Sequence, residues 1–351
     1  MYKEAFIDLR KLPKRLRVLV SGSLRTLYKT AKIYNEYPWE IGFSGGKDST
    51  IVCHLVIEYL RRAVVRMLPK PSTIHIIYSD TLLDAPILRQ HTLQIINDIK
   101  KFSQSRFSDL IQVHILKPKE GQDFFSLMIE RGYPAPHRRF RWCMDRLKID
   151  PTASFLGKIG KYVMITGVRR DESVARARNM VKRGQTRAIS SMDDMIIVAP
   201  ILFWKVEDVW SFLRICKQPW NGNTYEKLEV IYRATDTLQG CTEGCQITPN
   251  NRFGCWVCTV VERDKMLERL GALYPHYSML HKAKEEIRKI SLTPQYRERK
   301  PDGTYGRLNE AGRRAVASVI SKLYPLFPEA FEGYLEDAQL REKLFKWISI
   351  K

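Results

Sequence analysis

The stretch Trp39-Glu40-Ile41-Gly42-Phe43-Ser44-Gly45-Gly46-Lys47-Asp48-Ser49-Thr50 decides the fold of this 351-residue chain. Its apolar start predicts a buried strand, and the two glycines before Lys47 predict a turn into a helix. Backbone N–H groups at a helix N-terminus bind anions, and glycines let the backbone approach a phosphate where a Cβ would intrude. We therefore interpret Ser44 to Thr50 as a phosphate-binding loop, in which Lys47 adds charge and Asp48 can hold Mg²⁺.

Two better-known phosphate-binding motifs are excluded at this position. A Walker A loop requires Gly-x-x-x-x-Gly-Lys-[Ser/Thr], whereas Ile41 occupies the first glycine position and Asp48 follows the lysine. The spacing does not fit the dinucleotide fingerprint Gly-x-Gly-x-x-Gly either. An ordinary glycine turn in an α/β unit is the plain alternative, but this hexapeptide is uncommon between a strand and a helix.

The hexapeptide Ser-Gly-Gly-Lys-Asp-Ser after an apolar strand resembles the signature of the PP-loop ATP pyrophosphatases. Enzymes of that superfamily cleave ATP between its α and β phosphates and adenylylate a substrate oxygen. The resemblance implies ATP and Mg²⁺ as cofactors. The residues that it implies for ATP binding are Ser44, Gly45, Gly46, Lys47, Asp48, Ser49, Thr50, Asp80, Gly167 and Arg169.

Composition and charge restrict the possible partners and compartment. Lys and Arg number 59 against 38 acidic residues, which gives a formal charge of +21. A soluble or thermophile-like surface is the plain explanation, but so large an excess favours a nucleic-acid partner. No secretory signal and no membrane-length apolar run is recognised, so we expect a cytoplasmic protein without a membrane partner. Seven cysteines in that compartment suggest metal binding or catalysis.

The order of apolar and amphipathic segments predicts the fold class. Strands alternate with helices up to about residue 200, which predicts an α/β parallel twisted sheet with helices on both faces and a ligand at the carboxyl ends of the strands. Beyond Pro200 the pattern is mainly helical, with a basic loop at Arg297–Arg307. The predicted strands after the first are 73–78, 111–116, 162–168 and 195–199, and the predicted helices between them are 51–67, 85–102 and 124–131.

Three regions follow from this pattern. Residues 1–35 form a basic helical segment, which we interpret as an amphipathic packing helix. Residues 36–235 form the PP-loop ATP pyrophosphatase domain. Residues 236–351 contain a cysteine-rich metal-binding loop and a helical C-terminal region.

Further segments are similar to the PAPS-reductase-like branch of the PP-loop superfamily, so the resemblance covers about residues 35 to 215. Tyr78–Pro86 resembles the second-strand motif of that branch, in which Asp80 would accept hydrogen bonds from adenine or ribose. The plain alternative for Asp80 is a helix N-cap. Arg141–Pro151 resembles a segment whose lysine, here Lys148, would face phosphate.

Two more segments of that branch follow. Gly167–Arg176 resembles its Gly-x-Arg-x-x-Glu-Ser-x-x-Arg motif, and the planar guanidinium of Arg169 suits phosphate recognition; a solvated charge run is the alternative. Pro200–Trp210 matches its Trp-x-x-x-Asp-Val-Trp segment, and we expect Trp204 and Trp210 to pack a helix onto the sheet. The catalytic residues implied are Lys47, Asp48, Lys148 and Arg169.

The cysteines predict a metal site. Cys241, Cys245, Cys255 and Cys258 have the spacing Cys-x3-Cys-x9-Cys-x2-Cys, and four thiolates in so short a stretch can bind zinc or an iron–sulfur cluster. Cys143 is a fifth candidate, as an alternative ligand or a persulfide carrier. We expect the other two cysteines, Cys53 and Cys216, to be core residues.

Asn251–Val261 and Phe140–Lys148 are closer still to the DndC/SspD-like ATP pyrophosphatases of DNA phosphorothioation. That resemblance implies a [4Fe-4S] cluster, with zinc as the alternative, and DNA whose non-bridging phosphate oxygen is replaced by sulfur after release of pyrophosphate and then AMP. It also implies a cysteine desulfurase as sulfur donor and other phosphorothioation subunits as partners. Basic residues that could hold the DNA backbone are Arg138, Arg139, Arg141, Arg176, Arg178, Lys182, Arg183 and Arg187.

Three other functions stay open at this point. A tRNA thiolation enzyme would use the same activation, and charge does not separate tRNA from DNA. A PAPS or APS reductase would need a nucleophilic cysteine in its tail, and the segment Phe345–Lys351 has none. A zinc-stapled nucleic-acid-binding protein with a degenerate ATP site is the non-enzymatic alternative, although the intact loop at Ser44–Ser49 argues against it.

Overall fold

A computed structural model describes most of the chain. The described residues are 7–172, 187–192, 195–234, 254–260, 263–334, 342 and 345–347. Some predicted site residues lie outside them, namely Cys241, Cys245, Arg176, Arg178, Lys182 and Arg183. None of the described helices combines the length and the hydropathy that a bilayer crossing requires.

A six-stranded sheet organises the N-terminal two thirds of the chain. Its strands are β1 (Trp39–Gly42), β2 (Ile74–Ser79), β3 (Ile111–Leu116), β4 (Val163–Ile165), β5 (Ile189–Met192) and β6 (Met195–Val198). Their spatial order is β3-β2-β1-β4-β6-β5, and all neighbours are parallel except the β5–β6 pair. The order reverses direction at β1, which lies between β2 and β4, so the loops after β1 and β4 flank a topological switch point.

Helices cover the sheet and build the C-terminal region. They are α1 (Lys14–Ile33), α2 (Lys47–Arg66), α3 (Pro86–Arg106), α4 (Phe124–Ile129), α5 (Asp150–Ile159), α6 (Val206–Ile215), α7 (Glu226–Ala234), α8 (Lys265–Leu273), α9 (Tyr277–Leu292) and α10 (Glu310–Leu323). A helical turn at Trp142–Met144 and a π-helical turn at Asp145–Ile149 lead directly into α5. The α/β fold class predicted from the sequence is confirmed.

Several predicted bounds differ from the structure. The strand predicted at 162–168 ends at Ile165, because the chain then turns so that Gly167 lies against the backbone of Asp48. Strand β5 and helix α5 were not predicted. The basic loop predicted at Arg297–Arg307 is a two-stranded hairpin, formed by β7 (Arg297–Arg299) and β8 (Tyr305–Leu308).

The first hydrophobic core lies between the sheet and the helices α1, α2, α3, α6 and α7. Helix α1 buries Leu16, Val20 and Leu27 in it, so the prediction of an amphipathic packing helix is confirmed. Trp204 and Trp210 are buried in the same core, as expected, and the indole Nε1 of Trp204 donates to Ser23 Oγ of α1 at 3.1 Å.

A second core joins the middle of the chain to its C-terminal region. It contains Leu83, Phe125 and Trp142 together with Trp256 and apolar residues of α8, α9 and α10. The C-terminal helices therefore pack on segments that the predicted boundary near residue 235 assigns to the other domain. The loop after β2 is held between the two cores, which places it beside the carboxyl end of the sheet.

Candidate nucleotide site and cysteine loop

The glycine loop joins β1 to α2 at the switch point of the sheet. Gly45 has a φ of +69°, and a Cβ there would lie 2.1 Å from the Thr92 Oγ1 of α3. Gly46 is the N-cap of α2, which begins at Lys47. Both the left-handed backbone and the contact with α3 therefore require glycine at position 45.

Hydroxyls hold the loop in shape. Ser49 Oγ accepts from the Ser44 backbone N–H at 3.2 Å and donates to the Gly46 carbonyl at 3.0 Å. The Ser44 and Ser49 hydroxyl oxygens lie 3.1 Å apart. The serines at both ends of the hexapeptide thus stabilise the turn of the glycine loop.

Asp48 links two cations at the start of α2. Its Oδ2 lies 3.0 Å from Lys47 Nζ, and its Oδ1 accepts from Arg169 Nε at 2.7 Å. Arg169 is 1% exposed, and its Nη1 also donates to the Trp204 carbonyl at 3.5 Å. A Cβ on Gly167 would lie 3.1 Å from the Asp48 carbonyl carbon, so this glycine lets the loop after β4 approach α2.

The sequence predicted that Arg169 and Gly167 contact ATP, and the structure places both residues beside Asp48. Neither residue lines the cavity over the glycine loop. Arg169 lies behind Asp48 and orients that carboxylate, whereas Gly167 provides space. Both are positioning residues in this arrangement.

Tyr232 of α7 contacts the glycine loop at Lys47. Its hydroxyl accepts from the backbone N–H of Lys47 at 3.2 Å, and Lys47 Nζ lies 5.2 Å from its ring centroid. The ring meets Trp210 edge-on at 5.0 Å, so the Asp-Val-Trp segment supports the loop through this tyrosine. No local sequence signal pointed to Tyr232, because α7 reads as an ordinary amphipathic helix.

A cavity of about 430 Å³ opens above the loop. Besides Gly42 to Ser49, its walls are formed by Ile77, Tyr78, Ser79, Asp84, Leu88, His91, Thr92, Lys148 and Tyr232. Lys148 therefore lines the same cavity as the glycine loop. Thr50 lies outside the lining and is fully buried, with its backbone N–H donating to the Gly46 carbonyl.

His91 is a polar residue of this cavity that sequence reasoning missed. Its side chain is 5% exposed, and Nε2 has no hydrogen-bond partner among the described residues. Burial lowers the pKa of His91 to about 4, so the imidazole is neutral at neutral pH. A neutral, unpaired ring nitrogen at the wall can form one hydrogen bond with a nucleotide.

Asp80 occupies a different place from the one predicted. It is fully buried and its carboxylate binds Arg89 through three hydrogen bonds, with Arg89 Nη2 to Asp80 Oδ2 at 2.8 Å. Arg89 Nη1 also donates to Glu332 at 3.0 Å. The carboxylate of Asp80 is thus committed to a buried ion pair rather than presented to the cavity. It is not a helix N-cap either, because α3 begins at Pro86 and its N-cap is Ala85.

Asp84 is the carboxylate that the loop after β2 does bring to the cavity. Burial raises its pKa, while the charge of Lys148 lowers it. Tyr78 donates to its Oδ2 at 3.4 Å. Asp48 and Asp84 are thus two carboxylates of the cavity, and Lys47 and Lys148 are cations of the same lining.

The loop Cys255–Cys258 lies directly against this part of the cavity. Asp84 and Cys255 form an antiparallel bridge, and the Trp256 N–H donates to the Leu83 carbonyl at 2.8 Å. Cys255 Sγ lies 3.9 Å from Thr81 Oγ1. Trp256 is fully buried in the second core, which fixes the loop. Folding therefore brings Cys255 next to Asp84, a residue of the cavity that lies 171 residues earlier in the sequence.

Cys143 lies on the helical turn beside that loop. Its pKa is raised by burial and by the charge of Cys258, and that of Cys255 is raised to about 12 by burial, with Asp84 adding to the effect. Within the described ranges, no group of three or more histidine, cysteine, aspartate or glutamate side chains is arranged to hold a metal ion. Cys53 is fully buried, as predicted, and Cys216 packs against the first core.

The predicted basic residues that can be placed lie at the surface. Arg138, Arg139 and Arg141 are exposed on the segment before Trp142, and Arg187 is exposed before β5. The Thr259 hydroxyl donates to the Pro136 carbonyl at 2.6 Å, which ties the cysteine loop to the same basic segment.

Comparison with known proteins places the chain in a family. The family model described as phosphoadenosine phosphosulfate reductase domain matches residues 40–261. An uncharacterised protein of Methanocaldococcus jannaschii is 27% identical over 273 residues, which cover 76% of this chain and 53% of that protein. The chain thus spans about half the length of that relative.

An adenosine 5'-phosphosulfate reductase of Oceanobacillus iheyensis is 27% identical over 180 residues, 50% of this chain and 66% of that enzyme. The solved structure of phosphoadenylyl-sulfate reductase from Candida auris shares 14% identity at a TM-score of 0.42, covering 71% of this chain and 98% of that one. Since the family model matches more than half of the residues, the chain belongs to the phosphoadenosine phosphosulfate reductase domain family.

Proposed function

We propose that this protein is an ATP pyrophosphatase that adenylylates a backbone phosphate of DNA for replacement of a non-bridging oxygen by sulfur. One observation carries the proposal: the cysteine loop Cys255–Cys258 pairs with Leu83 and Asp84, and Asp84 lines the cavity above the glycine loop. Sulfur chemistry and phosphate activation would then occur in one site. The formal net charge of +21 supports a polyanionic acceptor.

In the first step, the phosphates of ATP would lie on the glycine loop beneath Lys47 and Lys148. A DNA phosphate oxygen would attack the α-phosphorus, and pyrophosphate would leave. Repulsion between the two anions is the main barrier, and the two lysines lower it electrostatically. Asp48 and Asp84 are the carboxylates suited to hold Mg²⁺, which would neutralise the phosphate charge.

In the second step, a persulfide sulfur would attack the phosphorus of the adenylylated phosphodiester, and AMP would leave. A neighbouring thiolate would then cleave the sulfur–sulfur bond, which releases the phosphorothioate and leaves a disulfide for an external thiol to reduce. Cys143 suits the carrier, because it lies outside the set of four cysteines that the spacing predicts as metal ligands. A cysteine desulfurase would supply the persulfide sulfur.

A [4Fe-4S] cluster or zinc would need ligands beyond those described. Cys255 and Cys258 supply two thiolates, while Cys241 and Cys245 lie outside the described residues and the described ones alone form no metal site. We therefore assign no step to a metal. Iron and zinc analysis after anaerobic purification, compared between Cys258→Ser and the buried control Cys53→Ser, tests the site. Loss of metal in the first variant alone is expected, and equal metal content in both would exclude Cys258 as a ligand.

The ATP reaction is the first test of the function. Purified protein with ATP, Mg²⁺ and DNA should release AMP and pyrophosphate, and Lys47→Met should abolish the release, whereas the exposed control Lys70→Met should not. Release of ADP and phosphate would exclude the proposal.

The acceptor is tested in cells with and without the protein. Mass spectrometry of nuclease-digested DNA should show a phosphorothioate dinucleotide only where Lys47 is intact. Thiolated nucleosides in digested tRNA would instead identify a tRNA thiolation enzyme. Sulfite release from a sulfonucleotide with a thiol, and no pyrophosphate from ATP, would identify a reductase like the Oceanobacillus relative.

A further inference from the structure

The β7–β8 hairpin is a rigid projection of the second core. Arg297 braces its base by donating from Nε to the Gly306 carbonyl at 2.9 Å and from Nη1 to the Ser291 carbonyl at 2.5 Å. Its tip closes through Lys300 N–H to the Thr304 carbonyl at 2.9 Å. The hairpin is thus held at both ends without contributing a large apolar side chain to the core beyond Leu308.

The exposed face of this hairpin combines cations with an aromatic ring. Arg299 pairs with Tyr305 across the two strands, so their side chains share a face, and Arg307 follows two residues later. Tyr305 is 47% exposed. Arg299, Lys300 and Arg307 form no ion pair within the part of the chain that the structure describes. Arg299 and Arg307, two cations on the same face as a solvent-facing aromatic ring, suit a nucleic-acid strand.

The hairpin adjoins the basic segment that precedes Cys143. The Leu308 N–H donates to the Gly132 carbonyl at 2.6 Å, and a Cβ on Gly132 would lie 3.4 Å from the Arg307 Cβ. The Ala135 N–H donates to Ser291 Oγ at 2.9 Å, beside the base of the hairpin. Only glycine at position 132 allows this close approach.

That basic segment repeats the pattern of the hairpin. Phe140 is 41% exposed among Arg138, Arg139 and Arg141, and its carbonyl accepts from the His137 N–H in a tight turn. The segment continues through Trp142 and the π-helical turn to Lys148 at the ATP cavity. The segment therefore carries cations at both ends, the exposed Arg138, Arg139 and Arg141 at one and Lys148 of the cavity at the other.

We propose that the β7–β8 hairpin and residues Arg138–Arg141 form one nucleic-acid-binding surface that guides the acceptor strand to the ATP cavity. Arg299, Lys300 and Arg307 bind backbone phosphates, and Tyr305 and Phe140 stack on bases. This inference rests on the proposed function, because it assumes a nucleic-acid acceptor. It adds a contact, the hairpin, whose first residue Arg297 lies 65 residues after Tyr232, the last residue that lines the cavity.

The salt dependence of binding tests the phosphate contacts. The triple variant Arg299→Ala/Lys300→Ala/Arg307→Ala is compared with Arg25→Ala/Lys29→Ala/Lys32→Ala, which removes three exposed cations from α1 and gives the same net charge. The slope of log K against log salt, measured on an oligonucleotide duplex over about 50 to 200 mM salt, should decrease by about 2 to 3 in the hairpin variant only. Equal decreases in both variants would overturn the proposal, since binding would then follow net charge.

Stacking is tested at Tyr305 with a single-stranded oligonucleotide instead of the duplex. Tyr305→Ala should weaken binding of a single-stranded oligonucleotide about tenfold, and Tyr305→Phe should retain binding. The free energy of unfolding, measured with denaturant, should be unchanged in both variants, which excludes misfolding. Unaltered binding by Tyr305→Ala and the triple variant would refute the hairpin while leaving the proposed function intact. No nucleic-acid binding by the wild-type protein would refute both.

Discussion

The hydroxyl of Tyr232 accepts a hydrogen bond from the backbone N–H of Lys47 at 3.2 Å. This N–H group belongs to the first residue of α2, where a helix offers unsatisfied donors to an anion. The hydroxyl oxygen therefore occupies a position that a phosphate oxygen of ATP would take. Gly46 keeps this position accessible, because a Cβ there would lie 3.2 Å from the same oxygen.

Tyr232→Phe should destabilise the ligand-free protein and strengthen pyrophosphate binding. Without the hydroxyl, a buried N–H loses its acceptor, which costs about 1 kcal/mol in the empty site and is recovered when a phosphate oxygen binds. By linkage, pyrophosphate should then bind about fivefold more tightly. Denaturant unfolding with and without pyrophosphate, together with calorimetric titration, measures both effects.

Tyr225→Phe is the matched control for that change. Its hydroxyl bonds to His54 Nδ1 at 2.8 Å, away from the cavity, so the loss of stability should not depend on pyrophosphate. If the two variants respond alike to pyrophosphate, the Tyr232 hydroxyl does not occupy a phosphate position.

Gly45→Ala should lose both stability and ATP binding. The φ of +69° strains an alanine by about 1 kcal/mol, and its Cβ would collide with Thr92, so α3 or the loop must move. Gly121→Ala isolates the strain, because Gly121 has a φ of +67° with nothing within 4 Å. Denaturant unfolding should show that Gly45→Ala lowers the free energy of unfolding at least about twice as much as Gly121→Ala does. Equal decreases in the free energy of unfolding would mean that Thr92 moves away from the new Cβ at little cost.

Arg169→Lys should separate positioning from phosphate binding. Arg169 orients Asp48 from behind and does not line the cavity, so the rate constant kcat should fall about tenfold while the KM for ATP changes little. Lys148→Ala removes a cation from the wall and should instead raise KM. Steady-state pyrophosphate release gives both constants, and a large rise in KM for Arg169→Lys would restore the sequence-based assignment of a direct phosphate contact.

The buried His91 should make stability depend on acid pH. Its pKa falls from 6.5 in the unfolded chain to about 4 in the folded protein, so the unfolded state binds the proton first as pH decreases. Its contribution to the free energy of unfolding is complete above pH 6.5 and is lost between there and about pH 4, an effect of about 3 kcal/mol. His91→Gln should remove this part of the slope, measured as unfolding free energy against pH. The exposed His137→Gln is the control, and an unchanged slope in His91→Gln would contradict the buried, neutral ring.

Local pattern predicted some elements well and others poorly. Strand β3 has the predicted bounds because its apolar run is bordered by a helix end and a polar loop. Strand β5 escaped prediction because Ser190 and Ser191 break the apolar alternation, and only pairing with β6 stabilises it. The π-helical turn at Asp145–Ile149 could not be predicted from local pattern either, because its Leu147 packs in the second core.

The sequence by itself determined the α/β fold class and the glycine loop with Lys47 and Asp48, because these follow from residues adjacent in the chain, whereas Lys148 was expected near the loop only from the family resemblance. Tertiary structure decided which distant side chains complete the site. It turned Asp80 toward Arg89, brought Asp84 to the cavity, and placed Tyr232 on Lys47 and Cys255 on Asp84. Such pairs depend on two hydrophobic cores that assemble segments far apart in sequence, and local periodicity does not encode which partner a buried polar group finds.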